Sequence, residues 1–176
     1  MNVRIEHLER DRLSDARKLV WGVFPHQGPF ERLSFWAIAN QRSRHVRRMM
    51  AWVGIAGFLD VWGAIDRHSG ALLGTTGLYQ RTHDAKEAVW LSWFCVAPEA
   101  RRKGIGSQLL DFAIHEAECT GLQYLRLYTS NRSGEAAAQI LCESRDLKVV
   151  SRKRRLFHTR IYRERRFLHA GTKEAG

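Results

Sequence analysis

The sequence predicts a mixed α/β domain in which helices flank a central, mostly antiparallel sheet. Two runs rich in strand-forming residues, 58–65 and 71–79, are separated by Asp66 to Gly70, a stretch typical of a hairpin connection. By contrast, apolar residues recur with helical spacing from 109 to 117. Because strand and helix patterns are interleaved within 176 residues, the length of one ordinary domain, we expect a single sheet covered by helices.

The N-terminal part of the chain contains a predicted strand followed by two helices. Residues 3–8 alternate apolar and polar side chains, which is the period of a half-buried strand. Ser14 is a common N-cap residue, and the apolar helical face behind it ends near Pro25. A second helical pattern begins after Pro29. The strands at 58–65 and 71–79 then follow.

A third strand and a helix form the centre of the predicted domain. Residues 88–96 are dense in Trp, Val and Phe and stop before Pro98, which predicts a buried strand. The helix at 109–117 has Gly121 as a plausible stop signal. The elements expected after it are a strand at 122–129, a helix at 135–143 and two strands within 147–168.

The chain is strongly basic, and the excess charge is concentrated in two clusters. Twenty-nine Lys and Arg against eighteen Asp and Glu give a net charge of +11 and a sequence pI near 10.3. Residues 42–48 contain four basic side chains, and residues 145–166 contain ten basic and two acidic ones. Such a surplus favours anionic partners such as nucleic acid, an acidic membrane face or a polyanionic cofactor, and it disfavours cationic substrates.

Several protein classes are disfavoured by composition. No apolar stretch approaches the roughly 20 residues that span a bilayer, and the first residues lack the apolar core of a signal peptide. Three cysteines without short spacing favour reduced thiols in a cytoplasmic protein. The scattered histidines predict no metal site. We expect residues 1–170 to form one domain and residues 171–176 to form a flexible tail.

The loop between the third strand and the central helix predicts an anion-binding site. Arg101, Arg102 and Lys103 precede Gly104 and Gly106, and the helix begins directly afterwards. The first amides of a helix have no internal partners and carry partial positive charge, so a phosphate can bind there. The glycines are too close together for a P-loop, and the third glycine of a dinucleotide-binding fingerprint is replaced by Leu109.

The segment from Arg101 to Gly106 resembles the Arg/Gln-x-x-Gly-x-Gly/Ala signature of the GCN5-related N-acetyltransferases (GNAT). The order of strands and helices around it, and the run from Leu72 to Leu78, are also similar to that family. The resemblance covers residues 3–168 and is specific from 71 to 147. It implies a GNAT fold and acetyl-CoA, or a related acyl-CoA, as acyl donor.

The resemblance also implies which residues contact the donor. The basic side chains Arg101, Arg102 and Lys103 and the backbone of Gly104, Ile105, Gly106 and Ser107 would hold the pyrophosphate. The backbone of Phe94, Cys95 and Val96 would pair with the pantetheine arm, and an amide near Cys95 or Val96 would meet the oxyanion. Asn131 is similar to an asparagine that contacts this arm in relatives.

The catalytic acid and base are less well defined by the sequence. Many relatives carry a tyrosine on the last helix as the proton donor, and Cys142 stands at that position here. Its thiol either protonates the departing thiolate or is a small buried helix residue. Some relatives carry a glutamate that acts as general base on the fourth or fifth strand, and these positions hold Trp90 and Arg126 here. Strand alternation predicts that Trp90, Ser92 and Phe94 share one face of their strand.

Two functions remain open from the sequence. The first is an acyl-CoA-dependent N-acetyltransferase that acts on a primary amine of a small molecule or a peptide. The second is a basic RNA- or ribosome-associated module that retains the fold with little or no catalysis, since arginines at 42–48 and 145–166 could neutralise phosphates. The first is favoured, because no nucleic-acid-binding motif accompanies these clusters. A homodimer is a further expectation from the resemblance, and a membrane partner is not expected.

Overall fold

The computed structural model of the chain describes residues 2–25 and 29–168, apart from the side chains of 29–32 and 133. The strands are Val3–His7 (β1), Ile55–Asp66 (β2), Leu72–Arg81 (β3), Ala88–Val96 (β4), Tyr124–Ser130 (β5), Lys148–Arg154 (β6) and Thr159–Arg166 (β7). The α-helices are Leu13–Val23 (α1), Pro29–Ala39 (α2), Arg44–Trp52 (α3), Ile105–Cys119 (α4) and Ala136–Glu143 (α5). The tail expected at 171–176 lies outside the described residues.

The seven strands form one mixed sheet in the order β1-β2-β3-β4-β5-β7-β6. All neighbouring strands are antiparallel except β4 and β5, which are parallel. The hairpin between β2 and β3 turns at Gly70, whose φ of +71° suits glycine. The predicted α/β class with a mostly antiparallel central sheet is confirmed.

Helices bury both faces of the sheet. On one face, α4 packs its apolar stripe, including Leu110 and Ile114, against Val89 of β4 and Leu125 of β5. The other face is covered by α1 and α2, and this cluster includes Val61, Ile65 and Cys95 from the strands together with apolar side chains of both helices. The central strands therefore have buried residues on both sides, which explains their nearly continuous apolar sequence.

Helix α3 is absent from the sequence-based prediction. Its sequence contains three arginines and a histidine, which make it look like a charged loop, yet Val46 and Met50 lie four residues apart and are both buried. Arg44, Arg47 and Arg48 point to solvent. The basic cluster at 42–48 is thus largely the exposed face of an amphipathic helix, whose narrow apolar stripe was too short to recognise by periodicity.

The predicted faces of β4 are wrong beyond Ser92. Between the pairs Gly77–Ser92 and Thr75–Cys95 the register shifts, and Trp93 has a φ of 49°. The extra residue of this β-bulge reverses the alternation. Phe94 consequently packs on the α4 side of the sheet, whereas Cys95 faces α1. A bulge is set by pairing with the neighbouring strand, so the period of β4 alone could not predict it.

Candidate active site

A gap opens in the centre of the sheet between β4 and β5. The two strands pair only from Ala88–Tyr124 to Trp90–Arg126. Beyond that point β4 continues to Val96 and β5 to Ser130, and β5 stays paired with β7 on its other side. The backbone edge of β4 next to the gap is therefore available to an extended ligand, which can hydrogen-bond to it as a strand would.

The start of α4 lies at the end of this gap. Gly104 occupies the N-cap position with a φ of +80°, and no side chain caps the helix. The amides of Ile105, Gly106 and Ser107 have no hydrogen-bond acceptor among the described residues, and the first turn contains no acid. Three converging amides and the helix dipole thus favour an anion at this position.

The basic side chains of the loop have different roles. Arg101 Nε donates to the carbonyl of Val96 at 3.2 Å, and Lys103 Nζ donates to the carbonyl of Glu99 at 2.9 Å. The first bond ties the loop to the end of β4, and the second lies within the loop. Arg102 is exposed and has a φ of 60°. All three residues come directly before the uncapped start of α4, and their contact with a bound phosphate stays a prediction.

The bulge in β4 is locked by a threonine of β3. Thr75 is fully buried, and its Oγ1 donates to the carbonyl of Trp93 at 2.6 Å. The same hydroxyl lies 3.4 Å from Cys95 Sγ. Because a strained non-glycine residue at positive φ persists only when its surroundings hold it, this bond helps to define the backbone beside the gap.

The family model for the acetyltransferase (GNAT) family matches residues 26–141, which is well over half of the chain. The chain belongs to the GNAT acetyltransferase family. Members of this family use acetyl-CoA, and the gap and the uncapped helix start fit its pantetheine arm and pyrophosphate. No curated protein matches the sequence.

Solved GNAT structures share the fold at low sequence identity. A GNAT-family protein from Desulfovibrio desulfuricans is 16% identical, has a TM-score of 0.71, and the match covers 94% of this chain and 99% of that one. A protein from Salmonella typhimurium described as an acetyltransferase, solved with its cofactor acetyl-CoA, is 18% identical with a TM-score of 0.68 and full coverage of both chains. The ribosomal-protein-S18-alanine N-acetyltransferase from Escherichia coli is 19% identical, with a TM-score of 0.70 and 97% coverage of both.

An arginine that the sequence analysis missed supports the first turn of α4 in this GNAT protein. Arg145, just after α5, binds both carboxylate oxygens of Asp111 at 2.9 and 3.1 Å and also donates to Ser107 Oγ. The hydrogen bonds with Asp111 raise the pKa of Arg145. It thus ties the end of α5 to the proposed phosphate site. Only its position after a helix end hinted at this role, since its partners are more than 30 residues away.

The three β4 residues predicted to line the donor site lie where the gap has opened. Gly106 lies next to Phe94 and Val96, and an added Cβ would be at ordinary van der Waals distance from their side chains, 3.9 and 3.6 Å. Cys95 is buried, and this burial raises the pKa of its thiol to about 11. The thiol therefore stays protonated at neutral pH, and any contact of Cys95 with the donor would involve its backbone.

Asn131, directly after β5, is hydrogen-bonded to the start of β7. Its side-chain Oδ1 accepts a hydrogen bond from the backbone amide of Thr159 at 2.7 Å. The backbone amide of Asn131 donates to the carbonyl of Thr159 at 3.1 Å. This pair joins β5 to the start of β7 beside the gap. Its predicted contact with the pantetheine arm stays a prediction.

Cys142 lies in the hydrophobic core under the sheet. Only 1% of the residue is exposed, and it belongs to the cluster that contains Leu91, Ala113 and Leu147. Burial raises the pKa of its thiol to about 11. Of the two roles that the sequence left open, the buried helix residue is the one that this environment favours.

The face of the sheet on the α1 side carries four aromatic rings that the sequence analysis did not connect. We call Tyr79, Trp90, Tyr128 and Tyr162 the aromatic face. Their ring centroids are separated by 6.3 Å for Tyr79–Trp90, 6.4 Å for Trp90–Tyr162 and 6.0 Å for Tyr128–Tyr162. Burial raises the pKa of Tyr79. These residues come from four strands, so only the register of the sheet could bring them together.

Arg126 neutralises the acids near the paired end of β4 and β5. It contacts Asp84 and Glu87 at 2.7 Å each and Glu164 at 2.6 Å. Burial opposes the charge of Arg126, but the hydrogen bonds with these acids outweigh it and raise its pKa. Asp84 also accepts from Trp90 Nε1 at 2.9 Å. Arg126 thus bridges three acids at the end where β4 and β5 are still paired.

Two further findings concern the nature of the site. Within residues 2–25 and 29–168, no helix is both long and apolar enough to cross a membrane. In the same part of the chain, no three His, Cys, Asp or Glu side chains are grouped so that they could bind a metal ion.

Proposed function

We propose that this chain is an N-acetyltransferase that moves the acetyl group of acetyl-CoA to a primary amine of a small molecule or a peptide. The observation that carries the proposal is the gap between β4 and β5, with the uncapped start of α4 at its end. The solved relative from Escherichia coli is an N-acetyltransferase of a protein alanine, which supports an amine acceptor.

The residues of the gap fit the donor in shape and charge. The amides of Ile105, Gly106 and Ser107 would hold the pyrophosphate, together with the charges of Arg101, Arg102 and Lys103. The edge of β4 around Phe94, Cys95 and Val96 would pair with the pantetheine arm. Bound acetyl-CoA supplies the activated acetyl thioester, and the chain holds this group between the two strands.

The reaction requires the chain to position an amine and to stabilise developing charge. The amine nitrogen bonds to the acetyl carbon, the carbon–sulfur bond breaks, and the proton lost by nitrogen balances the thiolate that leaves. We place the oxyanion near the β4 amides of Cys95 and Val96, which follow the bulge and lie beside the gap. The phenols of the aromatic face supply protonated groups on the acceptor side.

A pair of glycine substitutions at the two ends of α4 tests donor binding. Gly104 and Gly121 both have positive φ, at +80° and +73°, and an added Cβ would meet no close contact at either site. Gly104→Glu and Gly121→Glu therefore carry a similar backbone strain and the same charge change. We expect Gly104→Glu to weaken acetyl-CoA binding at least about 100-fold, since a carboxylate enters the anion site, and Gly121→Glu to bind normally.

Isothermal titration calorimetry with acetyl-CoA measures this difference. Equal affinities for the two variants would contradict the proposed phosphate site, and no binding to the unaltered chain at millimolar acetyl-CoA would refute the proposed function. A release assay for the free CoA thiol across a panel of primary amines then tests transfer. Binding of the donor without release for any amine would refute the proposed transfer and leave donor binding alone.

A further inference from the structure

Two cations lie over tyrosine rings of the aromatic face without an acidic partner, and a third, Arg81, lies 4.8 Å from the ring centroid of Trp90 at the end where β4 and β5 are paired. The guanidinium of Arg160 lies 4.3 Å from the ring centroid of Tyr128, and the ammonium of Lys153 lies 5.3 Å from that of Tyr162. Within the described part of the chain, neither Arg160 nor Lys153 forms an ion pair or donates a side-chain hydrogen bond. Their charges are therefore not neutralised by a paired acid and remain available to a ligand.

The sheet holds these cations in defined positions. Lys153 of β6 pairs with Arg160 of β7, and Arg160 pairs with Ser130 at the end of β5. Residues opposite each other in antiparallel strands share a face, so both cations lie on the side of Tyr128 and Tyr162. Stacking of a guanidinium on a ring leaves its N–H groups directed outward in its plane, where a carboxylate can accept two of them.

Three acids of this face lie at its other end and are already paired, whereas Glu135 lies near the end of β5 and accepts hydrogen bonds from Ser130. Asp84, Glu87 and Glu164 all contact Arg126, where β4 and β5 are still hydrogen-bonded. Tyr128 and Arg160 lie farther along, beside the part of β5 that has separated from β4. The aromatic face is therefore positive next to the gap and contains planar rings for an apolar group to stack on.

We propose that the aromatic face binds acceptors that carry both an aromatic group and a carboxylate, such as an aromatic amino acid. Arg160 holds the carboxylate, Lys153 adds to its attraction, and the rings of Tyr128 and Tyr162 contact the aromatic group. The amine is thereby presented to the gap. This inference rests on the proposed function, because it assigns the substrate class of the same site.

A matched pair of ligands tests the inference without any turnover. N-acetylphenylalanine and N-acetylphenylalaninamide resemble the reaction product and differ only in the carboxylate. By calorimetry we expect the acid to bind at least about tenfold more tightly than the amide. This ratio corresponds to the free energy that a pair of charge-assisted hydrogen bonds contributes. Arg160→Gln should remove this preference and leave the affinity for the amide unchanged.

The neighbouring strand offers a control for overall charge. Arg152 is exposed, pairs with Ile161 and thus lies on the opposite side of β6 from Lys153. Arg152→Gln removes the same charge, and we expect it to keep the full preference for the acid. Thermal melting of both variants confirms folding.

The outcomes separate this inference from the proposed function. Equal binding of acid and amide, no binding of either, or an equal loss in Arg152→Gln overturns the assigned substrate class, even if other amines are acetylated. If the acid is preferred and Arg160→Gln abolishes the preference, the inference holds. That result would stand even if the thiol-release assay showed no transfer, which would instead refute the proposed function.

Discussion

The thiol of Cys142 shows at the scale of one residue how burial decides chemistry. In the core cluster under the sheet it has apolar neighbours and 1% exposure. A proton donor must reach the departing sulfur, and a thiol enclosed in the core is held by packing instead. The sequence could place Cys142 on a helix but could not determine which way the helix would turn it.

We expect Cys142→Ala to lower stability and to leave catalysis almost unchanged. Removal of the buried sulfur should cost roughly 1–2 kcal/mol of unfolding free energy, while kcat stays within about threefold of the unaltered chain. Denaturant unfolding and steady-state kinetics measure the two effects. Cys119→Ala, at the exposed end of α4, is the control. A large fall in kcat with intact donor affinity would instead identify Cys142 as the acid.

The buried thiols also predict how stability depends on pH. Burial raises the pKa of Cys95 and Cys142 from 9.0 to about 11. Between these values the unfolded chain loses protons that the folded chain retains, so this contribution to stability is complete below pH 9 and is lost as the pH rises toward 11. Unfolding midpoints of the unaltered chain should fall over this window, and Cys142→Ala should show a smaller fall.

At the scale of the element, the bulge in β4 is the feature that most affects the site. It turns Phe94 toward α4 and Cys95 toward α1, and it interrupts the ladder beside the gap. The hydroxyl of Thr75 holds it through the carbonyl of Trp93. A small side chain on one strand thus determines which backbone groups of the next strand face the donor.

Thr75→Val should therefore reduce the catalytic rate in a chain that still folds. Valine keeps the shape of threonine but removes the hydrogen bond, and we expect kcat/KM for acetyl-CoA to fall about tenfold as the bulge loosens. The control is Thr76→Val, because the hydroxyl of Thr76 is buried and has no hydrogen-bond partner among the described residues. That variant should keep its activity and be as stable or more stable. Equal kinetics for the two variants would argue against a role for the bulge.

At the scale of the whole molecule, the structure separates the two basic clusters. Helix α3 packs on β2 near one side of the sheet, whereas β6 forms the opposite edge. Several arginines of the second cluster also have internal roles. Arg163 is 1% exposed and binds Glu143 at 2.8 Å, and Arg165 donates to the carbonyl of Arg145. The basic residues behind the formal charge of +11 thus lie partly on distant surfaces and partly in ion pairs and hydrogen bonds within the fold.

This distribution predicts weak, salt-sensitive binding to RNA. A continuous basic surface is needed to release many counterions at once, and the two clusters do not form one. We expect gel shifts of single- and double-stranded RNA only at low salt, with no complex at about 150 mM salt. Retention at that salt, together with a loss on neutralising the arginines of α3, would favour the RNA-associated alternative.

Local sequence was sufficient for the class of the fold, the loop at 101–107 and the family. Strand periods, a hairpin glycine and the spacing of Gly104 and Gly106 depend on neighbours along the chain, so they are visible without a structure. The family model then matched the same region. Helix α3 escaped because its apolar stripe is only Val46 and Met50, with basic residues around it.

The tertiary structure alone decided the role of each side chain across the sheet. The bulge depends on Thr75, and the buried state of Cys142 depends on how α5 packs. The support of α4 by Arg145 depends on its hydrogen bonds with Asp111 and Ser107. The aromatic face and the cations Arg160 and Lys153 come from five different strands. Such contacts are fixed by strand register and helix packing, and the order of residues along one chain contains neither.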